Sequence, residues 1–146
     1  MALPEVTGEF KIVKDPELIF LPSGKPKLRL RCLAKDRKRQ EDGSWTDDGP
    51  ALFIDVVVWS QAESLAESVT NGDGVIVIGK LKCNEWQDSD GNKRTEQFIE
   101  AISIGPSVRW GVAKTIAAGA TQPSGEVTRI AQALGATVVQ DEIAPF

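Results

Sequence analysis

The chain contains no histidine, only two cysteines, and no apolar run approaching the ~20 residues that a membrane-spanning helix requires. Each absence closes a class of function. Without histidine the chain lacks the side chain most used as a general base near neutral pH and the commonest ligand of transition metals. Two thiols, Cys32 and Cys83, cannot complete a four-ligand structural zinc site by themselves. Both fall among alternating apolar positions, so they read as reduced, buried core thiols rather than as a disulfide. Met1 to Phe10 includes Glu5 and Glu9 and has neither the basic start nor the apolar centre of a secretory signal. The expectation is a cytoplasmic protein with no membrane partner, no metal site and no cofactor.

At 146 residues and 41% hydrophobic content, the chain has room for one domain and a short appendage. Its formal net charge of -4 conceals a strong segregation. Between Lys25 and Arg39 stand Lys25, Lys27, Arg29, Arg31, Lys35, Arg37, Lys38 and Arg39 against Asp36 alone, a local charge of +7 that leaves -11 on the other residues. Such a segment is either a solvated basic loop or a surface for a polyanion. Spacing favours the second. Lys25, Lys27, Arg29 and Arg31 alternate with Pro26, Leu28, Leu30 and Cys32, and a period of two in a strand puts the cations on one face.

Val6 to Val13 is a weaker strand candidate, and Leu21-Pro22-Ser23-Gly24 supplies a turn between it and the basic strand. Gln40 to Pro50, dense in Asp, Gly and Ser, reads as a long exposed loop with Trp45 in its middle. Leu52 to Trp59 is the clearest strand, with Ile54, Val56 and Val58 as a β-branched core face and Phe53, Asp55, Val57 and Trp59 on the other. Ser60-Gln61-Ala62-Glu63 has the form of a capping box, followed by Ala62, Leu65, Ala66 and Val69 at helical spacing and a stop at Asn71-Gly72, giving a helix of about ten residues. In Val75 to Trp86, Lys80, Lys82, Asn84 and Trp86 share one face. A turn over Asp88 to Lys93 returns the chain as Thr95 to Ile104, and Val108 to Val112 is a candidate final strand.

Three strands, one helix and two further strands make the order of a five-stranded OB-fold Greek-key barrel, mainly β, with a β-sandwich as the second choice. Single-stranded nucleic acid needs cations for its phosphates and flat rings for its bases, whereas a duplex hides its base faces. Phe53 and Trp59 share a strand face, Trp86 lies with Lys80 and Lys82, and Trp45 neighbours Arg37, Lys38 and Arg39. A lone tryptophan is commonly a core residue. Here, however, burying Phe53 and Trp59 would expose Ile54, Val56 and Val58, the poorer arrangement. Trp110, beyond the last strong strand, reads as a packing or oligomer residue.

These residues resemble the bacterial single-stranded DNA-binding protein family. The resemblance runs through Asp15-Pro16-Glu17-Leu18, Pro22-Ser23-Gly24-Lys25, the Phe53 to Ser60 strand, Leu65-Ala66-Glu67-Ser68, Gly72-Asp73, Val75 to Leu81, Trp86 and Asp90-Gly91-Asn92-Lys93-Arg94. It closes at Gly105-Pro106-Ser107-Val108-Arg109-Trp110, an ending similar to the actinobacterial branch and to phages of such hosts. The resemblance implies a homotetramer that wraps single-stranded DNA in replication, recombination and repair. It implies stacking roles for Trp45, Phe53, Trp59 and Trp86, and phosphate contacts extending from the basic segment to Lys80, Lys82, Lys93 and Arg94. Asn84-Glu85 and Thr95 depart from the basic and aromatic residues usual in that family at those places.

The expected division is a binding domain over 1–112 and a linker with an acidic tail over 113–146. Within the tail, Val127, Ile130, Ala131 and Leu134 have helical spacing, consistent with a small helix or a transient one. Asp141, Glu142, Ile143, Pro145 and Phe146 form an acidic tip ending in a ring and a carboxylate, chemistry suited to an apolar pocket rimmed by cations. The resemblance implies that this tip recruits replication and repair proteins, with Ala144 as an extra residue. Two other readings stay open: an OB-fold that prefers single-stranded RNA or serves as a primosome accessory, and a carboxylate-metal nuclease using Asp47, Asp48 or Asp55.

Overall fold

The computed structural model of the chain describes residues 1–117, of which Met1–Gly111 form one compact unit. The strands are β1 (Glu5–Ile12), β2 (Glu17–Phe20), β3 (Pro26–Ala34), β4 (Arg37–Arg39), β5 (Trp45–Asp47) and β6 (Leu52–Val58). The helix α1 (Ala62–Ser68) follows, and then β7 (Gly74–Gln87) and β8 (Lys93–Pro106). Six strands form one sheet in the order β1-β7-β8-β6-β3-β2, and an added β1–β3 pairing closes it. The closed ring is therefore β1, β3, β6, β8 and β7, with β6 and β8 parallel and the other neighbours antiparallel. That is the OB-fold barrel, with β2 attached at the rim and α1 between the third and fourth barrel strands.

Alternation builds the core. Ile12, Leu28, Leu30, Cys32, Val56, Val75, Val77 and Ile99 are fully buried, each from the inward set of its strand. Ala62, Leu65 and Val69 join them from α1, which packs on β2, β3 and β8. At Gly79 the β7–β8 ladder shifts register, with Ile78 opposite Ser103 and Gly79 opposite Ala101, so Ile102 is the extra residue. A Cβ on Gly79 would collide with the Glu100 carbonyl oxygen and the Ile99 side chain, so this closely packed crossing requires glycine.

Several expectations are corrected. The Leu21–Gly24 turn joins β3 to the short strand β2, which the sequence pattern does not announce; Glu17 to Phe20 pair with Arg29 to Pro26. The Gln40–Pro50 loop contains half of a hairpin. β4 and β5 pair around a turn in which Asp42 Oδ1 accepts from the Ser44 amide and hydroxyl at 2.9 and 2.6 Å. Ser60 does not cap the helix: Gln61 precedes it in the left-handed region at φ 63°, without a side-chain cap, and α1 has seven residues. With the helix starting at Ala62, Ser60 stands one residue before the capping position. Cys83 is exposed, because it lies where the β7–β8 hairpin runs beyond the core; only Cys32 is a core thiol. Val108 to Val112 forms no strand, and Trp110 is 83% exposed, so it has no packing role within the described residues. No helix among those residues is long and apolar enough to cross a membrane. The segment 126–134 and the acidic tip lie outside the described residues.

Candidate nucleic-acid interface

Cross-strand register assembles one outward face. Across β3–β6, Arg31 opposes Asp55, Arg29 opposes Val57 and Leu33 opposes Phe53. Asp55 and Val57 in turn lie opposite Phe98 and Glu100 of β8, which oppose Lys82 and Lys80 of β7. Further along that hairpin Arg94 opposes Trp86. Side chains opposite one another in a ladder share a face. Lys27, Arg29, Arg31, Phe53, Trp59, Lys80, Lys82, Trp86, Arg94 and Phe98 thus belong to one surface. Its middle is an open groove of about 300 Å³, lined by Lys27, Arg29, Trp59, Cys83, Phe98 and Glu100 among others.

Phe53 and Trp86 are exposed and Trp59 half-buried, as a platform for a flat ligand requires. The Nζ atoms of Lys25 and Lys27 lie 5.0 and 5.4 Å from the centroid of the Trp59 ring, and the Arg31 guanidinium 5.7 Å from that of Phe53. Cation–π contacts of this kind hold positive charge beside the rings. Trp45 stands apart, on β5 of a separate two-stranded sheet, opposite Arg39. That hairpin connects β3 to β6 and so leaves the barrel at the Phe53 end. Phe98 was not among the expected rings. Its signal is parity: Ile99 is core, so Phe98 falls with Arg94, Glu96 and Glu100 on the outer side.

The twelve expected phosphate cations fall into three groups. Arg29 and Arg31 are tied to Asp55: Arg29 Nε and Nη2 donate to Oδ2 at 3.1 and 2.7 Å, and Arg31 Nη1 donates to Oδ1 at 3.2 Å. Asp55, on the face expected to be exposed, is buried, as is Val57, because β6 is flanked on both sides and the arginine side chains lie beside it. These hydrogen bonds hold the Arg29 guanidinium protonated even beyond its ordinary range. A second group is paired near the surface: Lys35 and Arg37 with Asp47, Lys82 with Glu100, Lys93 with Glu85, and Arg94 with Asp88. The carboxyl of Asp47 is held below the ordinary carboxylate range mainly by its hydrogen bond from Lys35, and that of Asp88 by the Asn92 amide and Arg94. Lys25, Lys27, Lys38, Arg39 and Lys80 have no carboxylate partner among the described residues.

The nuclease reading finds no support in this arrangement. Asp55 is enclosed by two guanidiniums, Asp47 is on the separate hairpin, and no three His, Cys, Asp or Glu side chains among the described residues come together to hold a metal.

An OB-fold barrel with rings and cations gathered on one sheet face defines the class. The chain belongs to the single-strand binding protein family, whose model matches residues 9–106, a family of non-enzymatic proteins. The single-stranded DNA-binding protein of Corynebacterium glutamicum is 41% identical over 109 residues, 74% of this chain and 48% of that protein. That of Mycolicibacterium smegmatis is 39% identical over 111 residues, 75% of this chain and 67% of that one. That of Mycobacterium bovis is 36% identical over 133 residues, 90% and 80% of the two chains. The chain thus spans from about half to about four-fifths of the length of these relatives. Among solved structures, the small single-stranded DNA-binding protein from Streptomyces coelicolor superimposes with a TM-score of 0.64 at 28% identity, covering 76% of this chain and 100% of that one. A Plasmodium falciparum protein in complex with single-stranded DNA shares the fold, with a TM-score of 0.61 at 14% identity over 73% of this chain and 97% of that one.

Proposed function

We propose that the chain binds single-stranded DNA without reading its sequence, coating exposed strands in replication, recombination and repair. The observation that carries this reading is the outer face, where Phe53, Trp86 and Phe98 share a surface with Lys80 and Lys82 by register, and Trp59 and Lys27 line its groove. Bases stack on the rings, each stack contributing about 1 to 3 kcal/mol, while the cations follow the phosphates. Trp59 is the central platform because Lys25 and Lys27 lie over it and need only a short movement to reach a phosphate. Trp45 and Arg39 extend the path onto the β4–β5 hairpin. Lys38 gives a further contact without a competing acid among the described residues, and Lys35, Arg37, Lys93 and Arg94 give others, since exposed ion pairs are weak and exchange partners readily.

The proposed assembly is a homotetramer. Its support is exposed apolar surface, with Ile76 and Ile78 on β7, Ile102 at the β8 bulge, and Trp110. The domain over 1–112 carries the binding, and the segment 113–146 presents Asp141, Glu142, Ile143, Pro145 and Phe146 to replication and repair proteins. The protein works in the cytoplasm, at the bacterial nucleoid or in the host of a phage.

Intrinsic tryptophan fluorescence during titration with oligo-dT, at low and at high salt, tests the reading. Saturating quenching that weakens as salt rises is expected, with Trp59→Ala binding about 5- to 150-fold more weakly. Unchanged fluorescence at low salt from the folded protein overturns it, and so does markedly tighter binding to RNA of equal length.

A further inference from the structure

We infer that Asp55 is a built-in competitor for phosphate, a carboxylate that occupies Arg29 and Arg31 and thereby lowers the affinity and the salt sensitivity of strand binding. This rests on the single-strand reading and refines it. A guanidinium fork donates to carboxylate and to phosphate oxygens through the same N–H groups. Asp55 already takes three hydrogen bonds from these donors, two from Arg29, which lines the groove with it, and one from Arg31, which faces it across the β3–β6 ladder. Two cations and one acid leave this centre a net charge of +1, where the basic strand by itself would offer +2.

The position of the acid argues against a merely structural role. β3 and β6 are already paired at seven successive positions, Leu28 to Ala34 with Val58 to Leu52, and Ile54, Val56 and Val58 bury the inner side of β6. A strand held in this way does not need an ion pair to fix its register. A buried carboxylate is also a costly staple, because removing an ion from water offsets much of what its partners return. What the acid does that an apolar residue would not is cancel one positive charge in the middle of the polyanion path. Arg29 Nη1 and Arg31 Nε and Nη2 take no part in the bonds to Asp55, so the pair still offers a strand one charge and several donors. The centre of the face is thus set to hold a strand and to release it.

The test is the salt dependence of oligo-dT affinity for Asp55→Asn, which keeps the shape and removes the charge. Each additional phosphate neutralised on a single strand steepens the logarithmic slope by about 0.7, which at about 0.1 M salt corresponds to about fivefold tighter binding. In Asp55→Asn/Arg31→Gln the net charge returns to +1 and the slope returns to that of the parent. Should Asp55→Asn alone fold poorly, the comparison of Arg31→Gln with the double variant reads the same increment. An unchanged slope, or weaker binding by a variant with a native circular dichroism spectrum, overturns the inference and leaves Asp55 a staple. Failure of the unaltered protein to bind oligo-dT overturns the single-strand reading itself.

Discussion

The barrel wall formed by β3 and β6 and the two hairpins that extend from it, β4–β5 and the distal part of β7–β8, use the same residue types to different ends. In the wall, the Asp55 side chain is 6% exposed and holds two arginines. On the hairpins, the Lys93–Glu85 pair has both partners more than half exposed, and Lys38 and Arg39 have no acid partner among the described residues. A buried carboxylate cannot exchange its cations for water, whereas an exposed pair is screened and exchanges freely. A count of lysines and arginines therefore overstates the charge available to a ligand at the wall and describes it more faithfully on the hairpins.

The largest effect expected from this contrast is on stability. Arg29→Met/Arg31→Met leaves the Asp55 carboxylate buried without a cation and should cost about 2 to 4 kcal/mol, the partial exposure of the guanidiniums keeping it from being larger. Urea unfolding measures it; a change within about 0.5 kcal/mol, the usual range for surface substitutions, would show that the wall behaves like a hairpin. The next effect lies in binding. Lys38→Ala/Arg39→Ala should lower the salt slope for oligo-dT by about 1.4, twice the increment of one phosphate, with the urea midpoint unmoved. An unaltered slope would take the β4–β5 hairpin out of the strand's path.

The legibility of the sequence follows the same division. Alternation located β3, β6 and the core residues Leu28, Leu30, Ile54, Val56 and Val58, because one-sided burial imprints a period of two. β2 left no such imprint, since all four of its residues are exposed and its pairing with β3 is a matter of backbone. The β4–β5 hairpin is built from three-residue strands, and the Asp42-Gly43-Ser44 chemistry that closes it is also loop chemistry. At the candidate site, Phe53, Trp59 and Trp86 were legible by parity. The burial of Asp55 was not: an acid on an outward parity reads as solvated, and only the pairing of Arg31 with Asp55 across two strands brings the arginines onto it. Ser60 misled for a related reason, because a capping motif in sequence does not disclose the left-handed Gln61 that intervenes.

The two cysteines place one probe in each region. Cys83 is exposed beside the groove and should react with a thiol reagent at the rate of an unfolded control, slowing when oligo-dT is bound. Cys32, fully buried in the barrel, should react only on unfolding. Burial pushes the Cys32 thiol up from its ordinary value near 9 to about 12, and the nearby Asp55 charge adds to the rise. Since the folded value is the higher one, the unfolded chain loses this proton first as pH increases. The thiol's contribution to stability is therefore intact below pH ~9 and is lost progressively from there through pH ~12. Relative to Cys32→Ala, the protein should lose about 1.4 kcal/mol for each pH unit in that window, the free energy of one unit of proton affinity. Parallel pH profiles for the two proteins, or prompt labelling of Cys32 in the folded state, would mean that the wall opens to solvent as readily as the hairpins do.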